Sequence, residues 1–383
     1  MTNPGAIDRN APTFTFGIEE EYHLVDLETR DLASAPPELM TACEEVLGKQ
    51  VSPEFLRSQI EIGTKVCNTF PEARAELVRL RGAVASEARA FGLAPIAAST
   101  HPFARKSSLQ TTPKARYQAL ARDFGGIGRR LAICGMHVHV AIENADVRID
   151  LMNQVRYFLP HLLMLSTSSP FWEGEDTGLK SYRLAIFHEL PRTGLPQWFA
   201  SHGEFLRTVD ILVRNGVIED ATKVWWDLRP SVRFPTLEMR VTDVCTRIED
   251  ALSIAALFVT LTRMLYRLRC SNQSWRTYPA FLIEENRWRA QRYPVSERLF
   301  DFGKGELVPF PELLEELIGL VAAEAEVAGC VAEVNHARRI IADGTSADRQ
   351  VAALAAALAA GASREEAMHA VVDMLIAETM QGC

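Results

Sequence analysis

No Cys-x-x-Cys pair occurs in this chain of 383 residues, and its seven cysteines, at positions 43, 67, 134, 245, 270, 330 and 383, are odd in number. That pattern fits reduced thiols in a cytosol rather than a disulfide framework. A run of basic residues is also missing, and a net charge of -8 with a pI near 5.7 leaves no dense positive surface for nucleic acid or an anionic membrane. Long apolar stretches are few. The longest, 251–261, is interrupted by Ser253 and Thr260 and flanked by Asp250 and Arg263, and the first fourteen residues are polar with no signal-type apolar segment. These absences argue against nucleic-acid binding, secretion and membrane spanning, and a cytoplasmic protein is expected. Two phosphate-binding signatures are absent as well. There is no Gly-x-x-x-x-Gly-Lys-[Ser/Thr] loop, and Gly125-Gly126-Ile127-Gly128 lacks the rest of a dinucleotide fingerprint and reads as a plain turn.

What the sequence does contain is a series of strands and helices followed by helices alone. Residues 13–25 alternate as a strand, Pro36-Pro37 breaks the chain before a helix reaching Leu47, and 54–63 reads as a second strand. Pro71 opens a long amphipathic helix that Gly92 ends, ahead of a short strand at 94–99. Residues 150–168 read as a helix and 180–196 as a polar loop able to act as a lid, while 223–230 and 236–243 read as strands of a hairpin joined through 231–235. From Ile248 onward nearly everything reads helical. A regular βαβ order is missing, so the expected class is α+β with an antiparallel or mixed sheet. No linker rich in Gly and Ser divides the chain, and no internal repeat is visible. The expected organisation is a flexible 1–13, a sheet-and-helix core over 14–247 that carries every candidate site residue, and a helical region over 248–383 packed on the same domain.

Residues able to carry chemistry recur at alternating positions. Successive side chains of a strand face opposite ways, so Glu19 and Glu21 share one face, as do His137 and His139 in Gly135-Met136-His137-Val138-His139-Val140. Glu61 lies between Ile60 and Ile62, which should face the other side, and Glu238 and Arg240 repeat the alternation in Thr236-Leu237-Glu238-Met239-Arg240. Each also has a plain structural reading: a glutamate pair as a solvated face, a strand histidine as a hydrogen-bonded core residue, Glu238 with Arg240 as an ion pair. On spacing alone both readings stand. Two carboxylates ~4 Å apart repel by roughly 4 kcal/mol at an effective dielectric near 20, so converging glutamates need protonation or a hard cation such as Mg2+ or Mn2+. Arg229 and Arg233, near Asp227, add permanent positive charge in a form that suits bidentate contact with phosphate or carboxylate. Metal ligands and arginines around one charged group are what phosphoryl transfer requires, because its catalysis is mainly positioning and charge neutralisation.

The stretch Phe16-Gly17-Ile18-Glu19-Glu20-Glu21-Tyr22-His23-Leu24-Val25-Asp26, followed by Cys134-Gly135-Met136-His137-Val138-His139-Val140, resembles the YbdK-type family of carboxylate-amine ligases, also called glutamate-cysteine ligase type 2. A wider similarity is to glutamine synthetase, whose catalytic domain carries Glu-x-Glu, Gln-x-Glu, Gly-Met-His-x-His and Glu-x-Arg strands. This chain offers Glu19/Glu21, Gln59/Glu61, His137/His139 and Glu238/Arg240 in the same order. The resemblance implies a glutamine synthetase-like sheet forming the active-site face. It implies that Glu19, His137 and Glu238 hold one divalent ion and Glu21 with Glu61 another, that His139 faces the nucleotide, and that Arg229, Arg233 and Arg240 contact the phosphates or the transferred group. Arg233 and Arg240 are the catalytic candidates. Arg183, in the expected lid, would bind a substrate carboxylate, with a surface arginine as the plain alternative.

The implied reaction uses ATP with Mg2+ or Mn2+ to turn a carboxylate, L-glutamate for the namesake activity, into an acyl phosphate that an amine, L-cysteine, converts to an amide. The family resemblance is also compatible with a homodimer. Two other readings compete. A zinc-dependent hydrolase built on His137 and His139 leaves the alternating glutamates and the arginines unexplained, and a nucleotide- or metal-binding relative without catalysis would bind ATP and release no ADP.

Overall fold

Alternation along β1 (Phe16–Asp26) sets the architecture. Phe16, Ile18, Glu20, Tyr22 and Leu24 are buried, while Gly17, Glu19 and Glu21 are half-buried on the opposite face. A computed structural model describes residues 11–105, 110–113, 125 and 128–383. In it β1 is central to a seven-stranded antiparallel sheet with β2 (Val51–Pro53), β3 (Gln59–Gly63), β4 (Leu93–Ile96), β5 (Met136–Ala141), β6 (Leu228–Pro230) and β7 (Thr236–Met239). The order is β6-β7-β5-β1-β3-β2. The first half of β1 pairs with β5 and its second half with β4, so those two share one flank of β1 and β3 takes the other.

The helices among the described residues are α1 (Pro37–Leu47), α2 (Phe70–Arg89), α3 (Ala145–Val155), α4 (Leu159–Ser166), α5 (Tyr182–Phe187), α6 (His202–Arg214), α7 (Ile248–Cys270), α8 (Ala280–Arg292), α9 (Phe310–Ala328), α10 (Val331–Asp343), α11 (Ser346–Ala359) and α12 (Arg364–Thr379). α2 starts where the Thr69 side chain accepts the Glu72 N–H, and it buries Ala73, Leu77, Leu80, Arg81, Val84 and Ala88 at helical spacing. α7 is long and apolar enough to cross a membrane, but 78% of its apolar window is buried inside the protein, against α2, α3, α9, α10 and β5. It is a core helix. One apolar core runs from Phe14 to Ile340, and a smaller cluster joins β4 to Leu354, Met368 and Leu375 in α11 and α12.

Behind β1, Glu20 points into this core and is met by Arg81, both side chains being fully buried. Arg81 donates from Nε to Oε2 at 2.9 Å and from Nη2 to Oε1 at 2.7 Å, and Tyr22 Oη donates to the same carboxylate. Further donors of Arg81 reach the carbonyls of Thr246 at 2.6 Å and Cys245 at 2.8 Å. A buried ion pair is tolerated when its hydrogen bonds are met in this way. Arg81 therefore ties β1, α2 and the entry to α7 together.

Several expectations from the sequence need correction. The helix expected at 150–168 is two helices, α3 and α4, separated by a 3-10 turn at Arg156–Phe158, because Pro160 belongs in a first helical turn and cannot continue a helix. The strand expected at 54–63 starts only at Gln59. Pro53 ends β2, and the chain turns before β3. The expected lid at 180–196 contains α5, whose Leu184 and Ile186 are buried. The helical last third includes a two-stranded hairpin, Arg298–Asp301 with Glu306–Pro309. All seven cysteines are free. Residues 1–10 of the expected flexible N-terminus, and Gly126 and Ile127 of the expected turn, lie outside the described residues.

Two stability measurements follow from these contacts. Arg81→Ala leaves Glu20 buried without its partner and should cost about 3–5 kcal/mol in urea unfolding; a loss under about 1 kcal/mol would show that the pair is not a support. His161 is buried among aromatic rings with Nδ1 unpaired, and burial pushes its imidazole down to about 4. The unfolded imidazole titrates near 6.5, so below about pH 6.5 the unfolded chain takes up a proton that the folded state refuses. Stability should fall as pH drops from about 6.5 to about 4 and level off below. His161→Phe should flatten that slope, and an unchanged slope would refute the assignment.

Candidate active site

The open face of the sheet brings the candidate residues into register. Glu19 lies opposite His137, Glu21 opposite Glu61, His139 opposite Glu238, and Glu238 opposite Arg229. Gly17 is the cross-strand partner of His139 and Gly63 that of Glu19, so no side chain fills the floor at those two points. These groups line a cavity of about 440 Å³ together with Arg183, Arg233 and Arg240, a size suited to a small molecule.

Within the cavity the possible ligand atoms form two clusters. Glu19, His139 and Glu238 each place one such atom within 4.8 Å of the others, and so do Glu21, Glu54 and Glu61. His139 Nδ1 lies 2.9 Å from Thr236 Oγ1, while Nε2 faces Glu19 Oε1 at 3.5 Å, too long for a good hydrogen bond. His137 Nδ1 lies 3.2 Å from Glu19 Oε2. In the second cluster Ser52 Oγ donates to Glu61 Oε1 at 3.0 Å, and the Gly135 N–H donates to Glu21 Oε2 at 2.7 Å.

The electrostatics of the two clusters differ. Burial and the charges of Glu54, Glu19 and Glu21 push the Glu61 carboxyl well above its usual range. A cation among these oxygens would reverse that repulsion, so the donor set fits a hard divalent ion. Burial opposes ionisation of Glu238 too, but the Arg240 and Arg229 guanidinium groups outweigh it and hold the carboxyl far below the usual range. Arg229 grips Glu238 with both prongs, Nε to Oε2 at 2.8 Å and Nη2 to Oε1 at 3.0 Å, and Arg240 donates from Nη1 to Oε1. A cation on Glu238 would therefore compete with two guanidinium groups for the same oxygens. For Glu19, burial works against ionisation, but the hydrogen bond with His137 and the proximity of His139 prevail and hold the carboxyl well below its usual range.

Sequence reasoning did not single out Glu54. It sits in the turn between β2 and β3, where strand alternation says nothing about direction, and the Pro53-Glu54 junction is the signal that could have marked that turn. Arg183 is not on an open loop. It lies on α5, is buried, and donates to the main-chain carbonyls of Arg240 at 3.2 Å and Val241 at 3.4 Å, with Asp243 at 3.8 Å, while still lining the cavity. Arg233 is exposed on the link 231–235 at the cavity's edge, beside Phe234, whose ring meets His139 edge-on at 6.2 Å between centroids. Gln59 is buried and donates to the Ile133 carbonyl at 2.7 Å.

A sequence profile described as glutamate-cysteine ligase family 2 matches residues 15–374. The chain belongs to this family. It is 61% identical over 374 residues to a Rhodospirillum rubrum protein provisionally named glutamate-cysteine ligase 2, covering 96% of each chain. A Jannaschia protein with the same provisional name is 58% identical over 363 residues, covering 95% of this chain and 96% of the relative. Among solved structures, the fold is similar to a Francisella tularensis glutamate-cysteine ligase in complex with AMP, with a TM-score of 0.68 at 14% identity over 97% of this chain and 89% of the other. A bifunctional glutathione synthetase from Pasteurella multocida gives a TM-score of 0.67 at 15% identity, over 97% of this chain and 53% of the other. At such identities the likeness concerns the fold alone, which is α+β and shared with those two proteins. Family membership makes the chain a carboxylate-amine ligase of the glutamate-cysteine ligase type and sets aside the zinc-hydrolase reading.

The packing at Gly135, between the Glu21 carboxylate and Arg183, gives a test of how tightly this ligase holds Arg183. A Cβ at position 135 would run into the Arg183 guanidinium, whereas one at Gly17 would meet Thr64 Oγ1 at an ordinary 3.7 Å. Gly135→Ala should lower stability by about 1–3 kcal/mol in urea unfolding and Gly17→Ala by under about 1 kcal/mol. Equal costs would contradict this packing.

Proposed function

We propose that this chain joins the side-chain carboxylate of L-glutamate to the amino group of L-cysteine at the expense of ATP, in the cytoplasm, with Mg2+ or Mn2+ bound by the two carboxylate clusters. The observation that carries the reading is one cavity holding two three-ligand clusters beside Arg183, Arg229, Arg233 and Arg240. Glu19, Glu238 and the histidine pair would hold one cation, and Glu21, Glu61 and Glu54 a second. Bound there, hard cations offset the charge of the polyphosphate and of the transferring group.

The chain's own residues orient the rest. Arg229 and Arg240, now paired with Glu238, have donors suited to phosphate oxygens, and Arg240 and Arg233 would steady the phosphoryl group as it moves. Arg183 at the cavity wall would take a substrate carboxylate. The glutamate oxygen attacks the γ-phosphorus and ADP leaves. The amine nitrogen then attacks the acyl carbon, the bond from that carbon to the bridging oxygen breaks, phosphate leaves with this oxygen and the bonding electron pair, and the nitrogen loses a proton to give the amide. His137 Nδ1 lies 3.2 Å from Glu19 Oε2 and 3.4 Å from Arg240 Nη1, at the junction between the proposed cation ligands and the phosphate-facing arginine.

Purified protein should release ADP only when Mg2+, an acid and an amine are all present, with glutamate and cysteine among the productive pairs. ADP release that ignores the amine would indicate a kinase, and none for any pair would indicate a silent relative. Glu21→Gln and His137→Ala should each abolish the Mg2+-dependent release with the fold intact by circular dichroism. Near-wild-type turnover in both would refute the site. A metal-only readout is independent of turnover: Mn2+ at about 100 times its dissociation constant should stabilise the wild-type chain by roughly 2.7 kcal/mol per site, and Glu54→Gln should lose part of this. An unchanged Mn2+ response would remove Glu54 from the ligand set.

A further inference from the structure

Outside the cavity, one helix holds both supports of Arg240. Arg240's N–H donates to the Asp227 carbonyl at 2.8 Å, and Val241's N–H donates to the same carbonyl at 3.1 Å. On the other side, the Arg240 carbonyl accepts from Arg183 Nη2 at 3.2 Å. The main chain of Arg240 is thus clasped between Asp227 and Arg183. Asp227 is 2% exposed, and its carboxylate is gripped by Arg287 of α8, Nε to Oδ2 at 2.6 Å and Nη2 to Oδ1 at 3.2 Å. The segment leading into Arg183 is fixed one turn further along α8, where the N–H groups of Lys180 and Ser181 donate to the Gln291 carbonyl at 2.8 and 3.1 Å. Residues 287 and 291 are four apart and share a helix face. No residue of α8 lines the cavity.

We propose that α8, acting through Arg287, positions Arg240 for the transferring group. This rests on the role given to Arg240 under the proposed function. Arg287 touches neither substrate nor phosphate and is a positioning residue. Removing its fork leaves a buried carboxylate without a partner, and such a group takes up a proton or turns toward another donor. Either response shifts the carbonyl that receives the Arg240 N–H. A displacement near 1 Å at a group that steadies the transition state costs on the order of 100-fold in rate, while ground-state binding through other groups is kept.

The test uses the full chain in the ADP-release assay with Mg2+, glutamate and cysteine, comparing Arg287→Gln, Arg287→Lys, Asp227→Asn, the double variant Arg287→Gln/Asp227→Asn, and Arg240→Gln. Arg287→Gln should lower kcat on the order of 10- to 100-fold with the KM for ATP within about 2-fold, and Arg287→Lys should recover part of it. The double variant should be no worse than the poorer single one, as for two parts of a single support. A folded Arg287→Gln with wild-type kcat beside an inactive Arg240→Gln overturns the role of α8 and leaves the site reading intact. Wild-type turnover in Arg240→Gln overturns the site reading and this inference with it. Should the glutamine variant fail to fold, Arg287→Lys decides: lowered kcat at an unchanged Tm supports the proposal, and unchanged kcat overturns it.

Discussion

Three successive glutamates cannot all face one way in a strand, so Glu20 must enter the core if Glu19 and Glu21 are to face the cavity. Arg81 is what makes that burial tolerable. Its fork meets both oxygens of Glu20, and its other donors close on the carbonyls of Cys245 and Thr246, leaving neither charge of this pair uncompensated. A slip of β1 by one residue would turn Glu20 into the cavity and Glu19 and Glu21 into an apolar interior with one arginine between them. The pair on the hidden face therefore specifies the register that the open face uses. The same contact fixes the approach of α7, because the carbonyls that Arg81 binds lie three and two residues before Ile248.

On the open face the charges are arranged to be nearly self-sufficient at one end and unsatisfied at the other. Glu238 already holds two guanidinium groups, whereas Glu61 faces other carboxylates and is pushed toward protonation. A cation reaching Glu61 relieves a standing repulsion. A cation reaching Glu238 must displace donors from it, and phosphate oxygens offer those donors a new partner. On the proposed function, cation and polyphosphate would be linked through shared arginines, each improving the terms on which the other binds. An arginine-rich cavity without the glutamates would trap phosphate anions, and glutamates without arginines would trap cations alone.

The residues legible in the sequence are those whose direction follows from a strand's period of two. Glu19, Glu21, Glu61, His137, His139, Glu238 and Arg240 share a face because alternation is geometric, and neighbouring strands of one antiparallel sheet bring them together. Glu54 escaped because a turn residue has no periodic direction. The sequence of 180–196, polar and rich in breakers, reads as a loop around Arg183, whereas tertiary packing of Leu184 and Ile186 draws a short helix from it. The late hairpin at Arg298–Asp301 and Glu306–Pro309 is too short to outweigh the helical sequence around it. Asp227 with Arg287, sixty positions apart, has no local signature at all. Local patterns show which way a side chain points, and long-range contacts decide what holds it there.

The same distinction bears on substrate choice. The alternating residues hold charge and would serve any acid and amine that pass through an acyl phosphate, so selectivity must come from the remaining wall. That wall is built largely from segments outside the seven-stranded sheet, including Phe55, Leu131, Phe187, Leu190 and Trp225. An apolar wall discriminates weakly, by about 1–3 kcal/mol for each methylene gained or lost, whereas a site built to pair a charged group rejects a substrate lacking it far more strongly. A substrate carboxylate on Arg183 would be such a group, since the guanidinium is buried and its main-chain contacts leave it facing the cavity. The ligase should therefore be strict about a carboxylate at that point and permissive about the size of substrate groups that meet only the apolar wall.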